Sequence, residues 1–194
     1  MILASKSPRR LEILSNFGIK KIKVVVAEIE EISDKEDLVE QVVDIAIKKG
    51  VEVAKSYPEE FVLSADTVVI LDGEILGKPK DCQEAFSTLT NLSGRTHEVI
   101  TAYSLINKSR AIFISGYDKT IVEFKKISKS EIDWYIKTGE PMDKAGSYGI
   151  QGVGAGILID KIEGGFYNVM GFPISKFVDD LKKHGIKIQN IIEL

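Results

Sequence analysis

The sequence predicts an α/β fold, a long mixed central sheet with flanking helices, in a chain of 194 residues whose length suits one large domain or two small lobes. Three observations predict it. Short apolar runs alternate with helix-period segments in the first half, two long alternating segments follow in the second half, and 44% apolar content over 194 residues supplies a substantial core.

Each element follows from local chemistry. Met1-Ile2-Leu3-Ala4 reads as a buried strand, and Ser7 as the N-cap of a helix with Pro8 at its first position and Leu11, Leu14 and Phe17 at helical spacing up to Gly18. Ile22 to Val26 reads as a second strand; the acidic stretch Glu28 to Glu31 leads to a long helical pattern from Lys35 to Tyr57, which Pro58 ends. Phe61 to Leu71 is apolar on both faces, as in a buried central strand, and Asp72-Gly73 is a hairpin turn into Glu74-Ile75-Leu76. Asp81 and Glu84 resemble a capping box for a helix running to Leu92 and closed by Gly94. Glu98 to Ile106 and Ala111 to Phe124 suit paired strands around an Asn107 to Arg110 turn, and Ser130 then caps a helix ending near Gly139. Lys144 to Gly156 holds five glycines in thirteen residues, which argues against a helix. A strand from Ile157 to Ile162, a Gly164-Gly165 turn and a helix from Pro173 to His184 complete the pattern.

Bulk properties exclude several classes. A net charge of −3 gives no global basic field, so no nucleic-acid partner is expected. The single cysteine, Cys82, excludes an internal disulfide framework and a thiolate zinc cluster and suits a reducing compartment, so the cytoplasm is predicted. No apolar run approaches the roughly 18 residues that a membrane span requires.

The candidate chemistry is anionic. At the strand-to-helix junction, Arg9 and Arg10 occupy a first helical turn whose dipole already favours an anion, so they point to a bound phosphate; the alternative is that they are solvated or paired with Glu12. Asp66 interrupts an apolar strand, where a carboxylate needs a cation. It reads as a metal ligand or general base, or else as a structural carboxylate paired with an arginine or capping a helix. Glu30 and Glu31 offer oxygen ligands to a hard cation, or form a solvated loop. Lys78, stiffened between Gly77 and Pro79, stands out among the lysines as a second positive group. The glycine-rich stretch matches neither a Walker A loop nor a dinucleotide fingerprint, but Gln151 within it carries the donor and acceptor that reading a base edge requires. Neither His97 nor His184 is assigned a catalytic role.

Six ordered segments, ASKSPRR, IEE, SADTVV, LGKP, LSGRTHEV and DKAGSYGIQG, resemble the Maf family of nucleoside triphosphate pyrophosphatases, which has the inosine triphosphatase-like fold. The resemblance implies a single domain over residues 1–194 with two lobes around a nucleotide cleft, and hydrolysis of a nucleoside triphosphate to monophosphate and pyrophosphate. It also implies a divalent cation, Mg²⁺ or alternatively Mn²⁺, and a homodimer. Matched position by position, it implies Asp66 as the essential acid, Ser7, Arg9 and Arg10 as phosphate-binding groups, Glu31 as the second acid and metal ligand beside Asp66, and Lys49 and Lys78 as further substrate-binding groups. Arg9, Thr67 and Gln151 match the marks of the subgroup resembling uridine and thymidine triphosphate pyrophosphatases. Rival expectations are hydrolysis of non-standard purine nucleotides and a non-catalytic nucleotide sensor linked to cell division.

Overall fold

A computed structural model describes residues 1–191 of the chain. Its strands form a seven-stranded mixed sheet with helices around it. The strand order is β2 (Lys23–Val24), β1 (Ile2–Leu3), β3 (Val62–Leu71), β5 (Thr96–Asn107), β6 (Ile112–Phe124), β7 (Ile159–Glu163), with β4 (Glu74–Leu76) paired to β3. The helices are α1 (Pro8–Asn16), α2 (Leu38–Ser56), α3 (Cys82–Leu92), α4 (Lys129–Lys137), α5 (Gly152–Leu158), α6 (Phe166–Met170) and α7 (Ile174–Lys183).

Two compact units divide the chain. The first contains residues 1–66, Thr101–Asp118 and the chain from Gly171 onward. Here β1 lies between β2 and β3 and runs parallel to both, with Ile2 opposite Lys23 on one side and Val62 on the other. Parallel strands covered by helices are buried on both faces, which is why Met1 to Ala4 reads as an unbroken apolar run and β3 carries apolar residues on both faces. The core includes Ile2, Ala4, Val53, Ala54, Val62 and Ile106, with Tyr103, Phe172 and Phe177 in mutual edge contact. Because the chain passes from β1 through α1 to β2 on one side and then through α2 to β3 on the other, the carboxyl end of β1 is a switch point, the place where open α/β sheets bind ligands.

The second unit contains Thr67–Ile100 and Lys119–Met170. Helices α3 and α4 contribute Leu89, Leu92, Ile132 and Tyr135 to a core shared with Val69, Val99, Val122, Phe124 and Leu158. The β3–β4 hairpin turns through Asp72 and Gly73, both at positive φ as a two-residue turn requires.

Several boundaries depart from the sequence pattern. The second strand keeps only Lys23–Val24, both exposed. Helix α2 begins at Leu38 rather than Lys35 because the Asp37 carboxylate accepts from Glu40 N–H and caps it there. Helix α4 is capped by Ser128, not Ser130; Ser128 and Glu131 satisfy each other's backbone N–H groups in a reciprocal box. The glycine-rich stretch does contain a helix, α5, and Phe166–Met170 forms the unanticipated α6.

Candidate active site

The first unit assembles a charged cluster by bringing a helix unusually close to a strand. Gly50 in α2 faces Ser64 of β3 and Ser104 of β5, and a Cβ at Gly50 would lie 2.8 Å from Ser64 Oγ. Ser64 Oγ donates to the Ala46 carbonyl at 2.6 Å and shares a 2.7 Å hydrogen bond with Ser104 Oγ, so the polar side chains at this contact are satisfied. One residue before Gly50, Lys49 extends its ammonium to Asp66 Oδ1 at 2.7 Å and to Glu31 Oε1 at 2.9 Å. Lys49 is 9% exposed and Asp66 8%. Lys49, supplied from a helix, is therefore a cationic partner of the buried Asp66, whose charge also reaches Arg10.

The β1–α1 junction supplies the positive side. Arg10 Nη1 donates to Ser5 Oγ at 2.8 Å, and Arg10 Nε donates to the Gly171 carbonyl at 2.9 Å. Burial lowers the Arg10 pKa from its ordinary value; the charges of Asp66 and Glu31 pull it back up, while Arg9 pushes it further down. An arginine so placed remains charged, because its ordinary value lies far above neutrality. Ser7 is the N-cap residue of α1 and Pro8 occupies its first turn, but the Ser7 hydroxyl makes no side-chain capping bond. The Ser7 N–H instead donates to Ser5 Oγ at 3.2 Å. Ser5 and the Gly171 carbonyl are site-building groups that sequence reasoning missed. The paired serines of Ser5-Lys6-Ser7 were the available signal for the first; nothing local announces the second.

Of the predicted site residues, Glu31, Lys49, Asp66 and Arg10 thus converge in the first unit, with Ser7 and Arg9 on the same junction. Thr67, Lys78 and Gln151 belong to the second. Thr67 follows Asp66 directly on β3, and Lys78 is exposed. The loop bearing Lys78 is tied to the glycine-rich segment by Gly146 N–H donating to the Gly77 carbonyl at 3.0 Å.

Two other buried polar groups are structural. Burial depresses His97 to about 4, so it is neutral at pH 7, with Nε2 2.6 Å from Tyr148 Oη and Nδ1 without a protein partner. Burial raises the Asp180 carboxyl, but hydrogen bonds from Lys176, Tyr103 and Lys183 outweigh it and bring the group down to about 2.

No group of three or more His, Cys, Asp or Glu side chains placed to hold a metal ion occurs among the described residues. Glu31 and Asp66 nevertheless converge on a single cationic nitrogen. Two carboxylates are the set that Mg²⁺ accepts when substrate phosphates and water complete its shell, so the donors fit such an ion. No described helix is long and apolar enough to cross a membrane.

Comparison with known proteins is consistent along the chain. The family described as Maf-like protein matches residues 1–184. A dTTP/UTP pyrophosphatase of Fusobacterium nucleatum is 53% identical over 191 residues, 98% of each chain. One from Pyrococcus abyssi is 46% identical, covering 96% of this chain and 97% of that one. Among solved structures, the Ham1 protein of Staphylococcus aureus is similar at 15% identity with a TM-score of 0.49, over 81% of this chain and 79% of that chain.

Proposed function

The chain belongs to the Maf family, and on that premise we propose that it is a nucleoside triphosphate pyrophosphatase, hydrolysing dTTP and UTP to the monophosphate and pyrophosphate. The names of relatives at 53% and 46% identity support that substrate pair. The observation that carries the chemistry is the convergence of Glu31 and Asp66 on one cation beside the half-buried Arg10. Paired hard carboxylates next to arginines in a first helical turn suit a divalent cation and a polyphosphate together.

In this mechanism Ser7, Arg9, Arg10 and Lys78 bind the triphosphate, and Thr67 and Gln151 read the pyrimidine. Glu31 and Asp66 would hold a divalent cation, Mg²⁺ or alternatively Mn²⁺, which when bound would offset charge on the phosphate oxygens. Lys49 balances the two acids before substrate arrives, and its flexible ammonium then turns to phosphate oxygens. Water attacks the α phosphorus, the bond from that phosphorus to the α–β bridging oxygen breaks, and pyrophosphate leaves with the electron pair. Asp66 accepts the proton from water. We extend the same reading to a homodimer acting in the cytoplasm.

The test is product release from UTP, dTTP, CTP, ATP and inosine triphosphate, with Mg²⁺ and with chelator, for the wild type and Asp66→Asn. Metal-dependent release of pyrophosphate favouring UTP and dTTP, reduced at least about a hundredfold by Asp66→Asn, is expected. Preferred cleavage of inosine triphosphate would overturn the substrate assignment, and near-normal turnover by folded Asp66→Asn would overturn the mechanism.

A further inference from the structure

We propose that Glu140, supported by Tyr135, is the positioning residue for Gln151 and so a determinant of base specificity. This rests on the base-reading role given to Gln151 above. Gln151 is the N-cap residue of α5, yet its side chain makes no capping bond. Glu140 performs that task from the segment just upstream: its Oε2 accepts from Val153 N–H at 3.1 Å and its Oε1 from Gly154 N–H at 3.2 Å. A carboxylate there also complements the positive end of the helix. The Gln151 amide is thereby relieved of capping its own helix.

The same pair of side chains grips the backbone before Gln151. Tyr135 Oη donates to Glu140 Oε1 at 3.0 Å and accepts from Gly149 N–H at 3.3 Å. Residues 149, 153 and 154 are thus fixed to one carboxylate–phenol unit, which brackets position 151 on both sides. Glycine is what allows so close an approach. Gly152 turns the chain at φ +71°, and a Cβ there would lie 2.9 Å from Glu140 Oε2; at Gly154 a Cβ would lie 2.6 Å from Tyr135 Oη. Lys144 Nζ donates to the Glu140 carbonyl at 2.6 Å and anchors the residue from behind. The clamp also accounts for a helix in a segment whose glycine content opposes one.

The experiment measures kcat and KM for UTP and ATP in the wild type, Glu140→Ala, Glu140→Gln, Tyr135→Phe, Gln151→Ala and the Glu140→Ala/Gln151→Ala double variant. Glu140→Ala is expected to lower kcat/KM for UTP about tenfold, mainly through KM, and to compress the UTP-to-ATP preference as Gln151→Ala does. Glu140→Gln, which keeps an acceptor oxygen, should restore part of that preference, and the double variant should be no less selective than Gln151→Ala alone. Should Glu140→Ala fail to fold, Tyr135→Phe and Glu140→Gln carry the test, each expected to shift the same ratio several-fold. A folded Glu140→Ala, or in its absence both milder variants, with a UTP-to-ATP ratio within twofold of wild type while Gln151→Ala shifts it, would overturn the clamp and leave the base-reading role standing. An unchanged ratio in Gln151→Ala would overturn that role and the clamp with it.

Discussion

Replacing Asp66 by Asn should destabilise the protein by an amount the geometry sets. Lys49 and Asp66 lie 2.7 Å apart at 9% and 8% exposure, so each charge depends on the other more than on water. Removing one partner of a buried pair costs about 3–5 kcal/mol. Glu31 remains on the ammonium, which places Asp66→Asn at the lower end, about 3 kcal/mol. For a chain of this length that is a drop in Tm of about 6–12 °C. Glu31 gives the internal control. Its side chain is 61% exposed and its contact with Lys49 is screened, so Glu31→Gln should cost at most about 1 kcal/mol. Adding Lys49→Met to Asp66→Asn should recover part of the loss, because the stranded ammonium is gone. Differential scanning calorimetry at neutral pH measures all four proteins. An Asp66→Asn variant that melts at or above the wild type, or a Glu31→Gln variant that falls as far as Asp66→Asn, would refute this assignment of the cluster's energetics.

Gly50→Ala should cost about 1–3 kcal/mol by overpacking against Ser64 and Ser104, despite the better helix propensity of Ala, and should lower kcat by displacing Lys49; thermal melting with steady-state kinetics reads both. His97 is held at about 4 while an unfolded histidine titrates near 6.5, so below about pH 6.5 the unfolded state binds the extra proton. Stability therefore falls as pH drops through the window from about 6.5 to about 4, by on the order of 3 kcal/mol, and denaturant titrations of His97→Phe should show that limb flattened. Glu31→Gln should raise the Mg²⁺ concentration needed for half-maximal turnover by about tenfold, seen in a metal titration of the rate.

Much of the architecture was legible because its signals are local. Apolar runs marked β1 and β3, and Pro58 ended the long second helix within two residues of its observed end at Ser56. The site was legible where a residue contradicted its surroundings, as Asp66 does within β3. What escaped depends on tertiary partners. Glycine counting rejected α5, because nothing near residue 152 discloses that Glu140 supplies its cap. Ser130 suits a cap by residue type alone, but Ser128 holds that position, where its reciprocal bonds with Glu131 complete a capping box. The second strand is short although five apolar and basic residues fit it, because its side chains find little cover. Lys49 is one lysine among many in the sequence; the approach of Gly50 to two serines distinguishes it.

The most direct test of the central claim is to hydrolyse UTP with Mg²⁺ in ¹⁸O-labelled water and weigh the products by mass spectrometry. Attack at the α phosphorus predicts one labelled oxygen in UMP and unlabelled pyrophosphate. Label in pyrophosphate, products of UDP and phosphate, or intact UTP after incubation with folded protein would contradict it.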